Sequence, residues 1–517
     1  MTVIASILGI VCIVGLSFYG LAPQFDPHLN SDQTVHILMA YDLQLPGDLY
    51  YWGQDRLGSL LPVLSHIALK LFPIAPVKMV GWINYGLVAI AYFCFASFFK
   101  RPLSWVLLAS ALFLPLQLYR EILSTGQPYA AQFACLGLAT VGLRWLLGYW
   151  SQAKLWQRCL GLWFTGLSIF ASVWVSDFSV IYWAVVLGAI AHHLFFQLSL
   201  SECRRRYPWH LADTITLVGI IITGSSFLRL AKATAARSAR YTEFNSLANI
   251  IDLLVRMGHS LIKNLRLEGQ SFWMGIAAYW LVAIGICVIY VTWRYHHTLL
   301  KQPSCLWLGS WGLAAGCSMG ILLLANWIYQ PDHLPQRYFI VVYVLCWVAT
   351  LLLSEQLPPA SSRVLSLLLV GLAIASAMTL SHRILARDTP PRVVALQELA
   401  PLAPAGFIGD YWHSYVLCGA NPELFHCTPY DRRGEVGCPK GNGKPYRRKI
   451  PVGSVVRCER CVENVLSSPT IYLVKQKWLE KFPKRIEQFG YCLEQEGKPF
   501  QIAQHKIAAY RKLDEES

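Results

Sequence analysis

The sequence predicts an all-α polytopic membrane protein of about eleven transmembrane helices, followed by a small extracytoplasmic α/β domain. Three observations lead there. The 517 residues are 55% hydrophobic and only 14% charged, roughly half the charge of a typical soluble chain. Mean hydropathy is +0.42, and apolar runs of about twenty residues, the length needed to cross a bilayer, fill the first three quarters. Charge crowds into the final stretch of roughly 135 residues.

Predicted spans lie near 3–20, 78–99, 103–118, 128–147, 159–176, 178–199, 211–230, 273–293, 306–328, 338–354 and 364–381. The first has an apolar run of about 18 residues and no basic leader, which favours an uncleaved helix over a signal peptide. The formal net charge is +15, yet from Ser381 onward 21 Lys/Arg face 15 Asp/Glu. Most of the excess therefore flanks the spans: Lys100–Arg101, Lys154 with Arg158, Arg204–Arg206, Arg294 with Lys301, and Arg363. By the positive-inside rule these loops are cytoplasmic, with the N-terminus. Loops 21–77, 119–127, 231–272 and 329–337 and the tight turn at Asp177 are then outside, and so is the tail after an odd number of spans. No basic stripe with interleaved aromatics points to nucleic acid.

Loop 21–77 is too long and too patterned for a connector. Ser31 can cap a helix from Asp32 to Leu43, which Pro46–Gly47 ends. Tyr50, Tyr51 and Trp52 precede a second amphipathic stretch from Leu57 to Phe72. Short amphipathic helices with aromatics suit the plane of the membrane interface. Asp32 then stands at the membrane–water boundary, with Gln54 and Asp55 further along the same surface. A carboxylate there can take the proton of an attacking hydroxyl. The plainer alternative makes Asp32 a helix cap and pairs Asp55 with Arg56 or a headgroup.

Elsewhere, Arg337 in HLPQRYFIVVYV (333–344) opens the tenth span, where its guanidinium can grip a phosphate through two hydrogen bonds or, with Tyr338, anchor the interface. Arg120 and Glu121 in the second outer loop suit a surface salt bridge, with Glu121 a possible supporting acid. Loop 231–272 is basic and carries an amphipathic pattern over 246–265; it suits an anionic lipid or simple packing equally. Asp177 is either a site residue or a cap. His192–His193 fall near the inner end of a span and receive no role. No carboxylate spacing suggests a metal.

The stretch SDQTVHILMAYDLQLPGDLYYWGQDRLGSLLPVL resembles the first extracytoplasmic loop of bacterial membrane glycosyltransferases with the C-type fold, a protein-mannosyltransferase-like group. The likeness rests on Ser31, Asp32 and Gln33, then Tyr51, Trp52, Gly53, Gln54, Gly58 and Ser59, and secondarily on the Arg337–Tyr338 step and GDYWHSY at 409–415. It implies inverting transfer of a sugar from a polyprenyl-phosphate donor to an acceptor hydroxyl. Asp32 would be the base, Asp55, Gln54 or Glu121 supporting groups, and Arg337 the donor-phosphate ligand. Gln33 departs from the double-acid version of the motif. It implies a bacterial inner membrane, a lipid-linked sugar as substrate and no certain cofactor; the acceptor, a glycan, lipid or protein, stays open. A transporter or flippase for a lipid-linked glycan, which would want mid-span charges and matched halves, and a non-catalytic scaffold are the alternatives.

We divide the chain at 381/382 into a transmembrane domain, 1–381, and an extracytoplasmic domain, 382–517. Of fifteen cysteines, Cys418, Cys427, Cys438, Cys458, Cys461 and Cys492 lie in the tail. An even number in an oxidising compartment suggests disulfides, over a half-formed zinc pattern at Cys427, Cys438, Cys458 and Cys461. The tail pattern predicts a strand over 406–410 running into a helix at Tyr411, a cross-linked excursion over 427–463, and a strand in IYLVKQ. It also predicts a helix in KWLEKFPKRIEQF and a hairpin turning at Glu496–Gly497–Lys498.

Overall fold

The computed structural model describes residues 2–194, 207, 209–235, 243–269, 271–302, 304–330, 334–385, 389–438, 450, 452 and 455–513. Each of the eleven apolar runs forms a helix: α1 (Val3–Leu21), α4 (Pro76–Ala96), α5 (Pro102–Phe113), α6 (Tyr129–Tyr149), α7 (Leu155–Val175), α8 (Ser179–His192), α9 (Leu211–Thr234), α11 (Phe272–Leu300), α12 (Cys305–Leu324), α13 (Ile340–Gln356) and α14 (Pro359–Thr379). Between them lie α2 (Ser31–Tyr41), α3 (Leu60–Leu71) and α10 (Leu247–Leu265). Among the described residues nine helices are long and apolar enough to cross a membrane, and the chain is an integral membrane protein. The exceptions among the predicted spans are α5, of 12 residues, and α8, of 14. Helix α5 stops because Pro115 follows its C-cap, Leu114, and cannot continue the hydrogen-bond ladder. Its far half is buried against α1, α4, α13 and α14, so this short helix is a core element of the bundle.

Positive residues at the end of the bundle away from loop 21–77 are partly tied down. Arg158 pairs with the buried Asp213 at 3.2 Å, and Glu355 accepts from the backbone N–H groups of Lys100 and Arg101. The predicted cluster Arg204–Arg206, with Arg237, Arg240 and His333, lies outside the described residues.

Helix α2 departs from the expected interfacial position. Every residue from Gln33 to Ala40 is buried, because α2 is clamped between α3 and α4 on one side and the tail on the other. Its cap is Asn30, not Ser31. Asn30 Oδ1 accepts from Gln33 N at 3.1 Å, and Gln33 Oε1 accepts from Asn30 N at 2.9 Å, a reciprocal capping box. Gln33 therefore finishes the helix end, which accounts for an amide where the related motif has a second acid. Helix α3 does keep an exposed apolar edge at Ile67, Leu71 and Phe72. So does α10, in which only Leu253 is buried.

The tail forms a six-stranded sheet of order β2–β1–β3–β6–β5–β4. Strand β1 (Ala405–Gly409) pairs in parallel with β2 (Phe425–Pro429) and β3 (Ile471–Val474), and the rest of the ladder is antiparallel. Helices α15 (Tyr411–Leu417) and α16 (Glu459–Leu466) pack on its parallel half. Disulfides join Cys418 to Cys427, Cys438 to Cys492 and Cys458 to Cys461, so the sulfurs of the zinc pattern are spent in bridges.

Two local expectations fail here. KWLEKFPKRIEQF is extended rather than helical: Pro483 breaks it, and Arg485–Gln488 form β4 against β5 (Tyr491–Ile502). Glu496–Gly497–Lys498 is a bulge inside β5, which absorbs Gly497 (φ 72°) and Pro499. The chain reverses instead at Ala503–Gln504, both at positive φ, before β6 (His505–Lys512).

Candidate active site

Loop 21–77 and the tail sit at the same end of the bundle, and α15 lies directly on α2. The contact is close enough that a Cβ at Gly419 would stand 2.9 Å from Thr34 Cγ2. Beneath this junction a cavity of about 860 Å³ is walled by the first loop, residues 126–129, the turn at Asp177, the start of α13 and the tail.

Asp32 occupies the first turn of α2, where the helix dipole favours an anion. Its backbone is pinned from the opposite side by Gly126, where a Cβ would lie 2.8 Å from Gln33 N and 2.9 Å from Asp32 Cβ. On the cavity side, Tyr411 Oη donates a short hydrogen bond to Asp32 Oδ1. Arg457 Nη2 donates to Tyr411 Oη at 3.1 Å, and Tyr51 Oη donates to the Asp32 carbonyl at 3.3 Å. Burial, then the Asp32 charge, pushes the Tyr411 hydroxyl well above its ordinary range, and burial does the same for Tyr51. Both phenols keep their protons.

Gln54 and Asp55 also line the cavity. They sit on a tight loop closed by Tyr51 N donating to Leu57 O at 2.7 Å, with Gly53 at φ 70°. Lys232 of α9 ties this loop to the Asp177 turn. It donates to Asp55 O at 2.5 Å and to Asp177 Oδ2 at 3.0 Å. Burial raises the Asp177 carboxyl, against the Lys232 hydrogen bond.

Arg337 enters from a 3-10 turn, Gln336–Phe339, just ahead of α13. Its Nη2 donates to Tyr338 Oη at 3.1 Å, and Nη1 stands 3.8 Å from Glu121 Oε1. Burial opposes its charge, but Tyr338, Glu121 and Asp32 outweigh that and raise it. Glu121 does not reach the large cavity. It stands behind Arg337 and lines a separate space of about 50 Å³ with Asp26, Asn30 and Arg383, and burial raises its carboxyl. Its ion partner is thus Arg337 rather than the neighbouring Arg120.

The structure therefore gathers Asp32, Gln54, Asp55, Asp177, Lys232 and Arg337 around one space and leaves Glu121 one layer back. Sequence reasoning missed the wall supplied by the tail: Tyr411, Trp412, Arg432 and Arg457. Tyr411 lies within the GDYWHSY motif, which was a usable signal. Arg457 carried none beyond its place before Cys458.

Fold and site together define a polytopic helical membrane protein whose carboxylate-bearing cavity lies between bundle and tail. No protein-family model matches the chain, and no curated protein matches it. Among solved structures it is similar to ArnT from Cupriavidus metallidurans in the apo state, at 11% identity over 97% of both chains with a TM-score of 0.44. The same protein bound to undecaprenyl phosphate matches at 9% identity, again over 97% of both chains, with a TM-score of 0.41. The Archaeoglobus fulgidus oligosaccharyltransferase tethered to an acceptor peptide matches 80% of this chain at 12% identity and a TM-score of 0.41. This chain spans 62% of that enzyme's length. Likeness at this level assigns no residue a role.

Proposed function

We propose that the protein is an inverting glycosyltransferase that moves a sugar from a polyprenyl-phosphate donor to an acceptor hydroxyl. One observation carries the reading: the Asp32 carboxylate shares a cavity with the cationic side chains Lys232, Arg337, Arg432 and Arg457. General-base attack on a sugar phosphate needs this pairing of a proton acceptor with charge to receive a leaving phosphate. The first-loop resemblance supplies the donor class.

In the proposed step Asp32 takes the acceptor hydroxyl's proton as its oxygen bonds to the anomeric carbon. The bond from that carbon to the phosphate oxygen breaks, and polyprenyl phosphate leaves with the electron pair. Arg337, a bidentate donor at the mouth of α13, is the natural ligand for that phosphate. Gln54 and Asp55 are placed to bond sugar hydroxyls. We further propose that residues 1–381 act as the transmembrane domain and 382–517 as the extracytoplasmic one. On this reading the cavity lies on the outer face of a bacterial inner membrane, with the N-terminus in the cytoplasm.

The test is turnover of polyprenyl-phosphate sugars by purified protein, with membrane extract as the source of acceptors. Asp32→Asn is expected to lower transfer by about 10²–10⁴-fold, the usual worth of a general base, while donor binding persists. Transfer at the parent rate would remove Asp32 from the chemistry. No transfer from any donor would remove the enzyme reading and favour a lipid-linked-glycan flippase.

A further inference from the structure

Tyr411 and Arg457 lie about 380 and 425 residues beyond Asp32 in the chain, yet they form its immediate surroundings. Arg457 is 8% exposed, and its guanidinium carbon stands 4.9 Å from the Tyr411 ring centre and 5.3 Å from that of Tyr51. It is held from behind as well. Its backbone N–H donates to the buried Tyr415 Oη at 2.8 Å, on the same helix as Tyr411. The Cys458–Cys461 bridge follows directly and closes the first turn of α16, with Cys461 N donating to Cys458 Sγ at 3.0 Å. So Tyr411 and Arg457 are delivered as one rigid unit.

The hydrogen-bond directions form an ordered relay. Tyr411 Oη accepts from Arg457, which turns its own hydrogen toward Asp32 Oδ1. A hydrogen bond to the ionised form of a carboxyl, with a cation one bond further back, favours ionisation. It also occupies one oxygen. Among the described residues, no side-chain or backbone donor bonds Asp32 Oδ2, so that oxygen is the one left to receive a proton.

We infer that Tyr411 and Arg457 are positioning residues for Asp32: they hold its carboxyl ionised and oriented with Oδ2 toward the acceptor hydroxyl. The inference rests on the glycosyltransferase reading for the identity of the incoming hydroxyl, but not for the effect on Asp32 itself. In the transfer step the acceptor proton passes to Oδ2, while Tyr411 keeps its own proton and Arg457 its charge throughout. The tail is then a working part of the catalytic centre. The charged and titratable groups facing Asp32 are Tyr411 and Arg457 from the tail, Tyr51 from the first loop, and Arg337 with Glu121 across the cavity wall.

The experiment is the pH dependence of transfer in the full-length protein, comparing the parent with Tyr411→Phe, Arg457→Gln and Arg457→Lys. Tyr411→Phe keeps the ring and removes only the donor. We expect the acid limb to move up by about one pH unit, so that transfer on that limb falls roughly tenfold. Arg457→Gln should shift it the same way, and Arg457→Lys should restore part of the shift. The second readout needs no turnover: infrared titration of the Asp32 carboxyl, taken as the difference between each protein and its Asp32→Asn counterpart. An acid limb and a carboxyl titration that stay put in Tyr411→Phe overturn the inference and leave the transferase reading intact. If no donor is turned over, the infrared shift alone decides whether the tail sets the state of Asp32.

Discussion

Gly126 shows how little room the Asp32 backbone has. Its Cα faces the Asp32–Gln33 peptide so closely that a methyl group at position 126 would have to displace backbone, not a flexible side chain. Gly126→Ala should therefore move the carboxylate by a few tenths of an ångström. Overpacking of this kind costs about 1–3 kcal/mol, and misplacement of a base lowers turnover out of proportion to the lost stability. Measured together, kcat should fall at least tenfold while thermal unfolding in detergent shifts only modestly; equal losses in both would mean that Gly126 serves packing alone. Asp32 itself was legible in the sequence, because a carboxylate just beyond an apolar span, in a patterned loop, is unusual. Gln33 was misjudged for the opposite reason. Its side chain works locally on Asn30, and a capping box beside an acid reads like a second chemical group.

At the scale of single elements, α2 is the most constrained helix outside the spans. Losing the Asn30 side chain in Asn30→Ala should cost about 1 kcal/mol through the cap, read as a lower midpoint of thermal unfolding. His36, on the same helix, is fully buried against Tyr51 with ring centres 4.9 Å apart. Burial pushes its imidazole down to about 3 from 6.5. Because the folded value is the lower one, the neutral ring's contribution to stability is complete above about pH 6.5 and declines as pH falls toward 3. The decline should reach about 1.4 kcal/mol per pH unit at its steepest. His36→Phe removes the titration, so its unfolding midpoint should depend less on pH across that window than the parent's. The helices of the bundle were readable because twenty apolar residues leave the backbone few alternatives in lipid. The burial of α2 was not, because its apolar stripe fits an interface as well as a protein roof. The extended fate of KWLEKFPKRIEQF and the bulge at Gly497 were set by partner strands distant in sequence, which local pattern does not contain.

Across the whole molecule, the tail is fastened to the bundle by charge as well as shape. Arg460 Nε stands 3.1 Å from Asp42 Oδ2, its Nη2 stands 2.5 Å from Asp48 Oδ2, and its guanidinium covers the Trp52 ring at 5.3 Å. Asp48 is buried, and Trp52 Nε1 and Gln44 N also bond it. Arg460→Ala would leave that carboxylate without its cation, at a cost on the order of 2 kcal/mol once the remaining donors and partial exposure are allowed for. Amide exchange in β1 and α15 should then quicken while that in α6 and α13 does not; uniform exchange would mean that the tail is held by its apolar contacts with α2.

Asp32 is among the first residues a ribosome makes, and Arg457 among the last. The helices of the bundle can enter the bilayer one after another while the tail is still being synthesised. For all that time Asp32 lacks Tyr411 and Arg457, and the cavity lacks a wall. A nascent or prematurely terminated chain would thus occupy the membrane, and could hold a lipid there, without a complete reaction centre. Completion of the polypeptide, followed by closure of the Cys458–Cys461 bridge beside Arg457, acts as a quality check written into the order of synthesis.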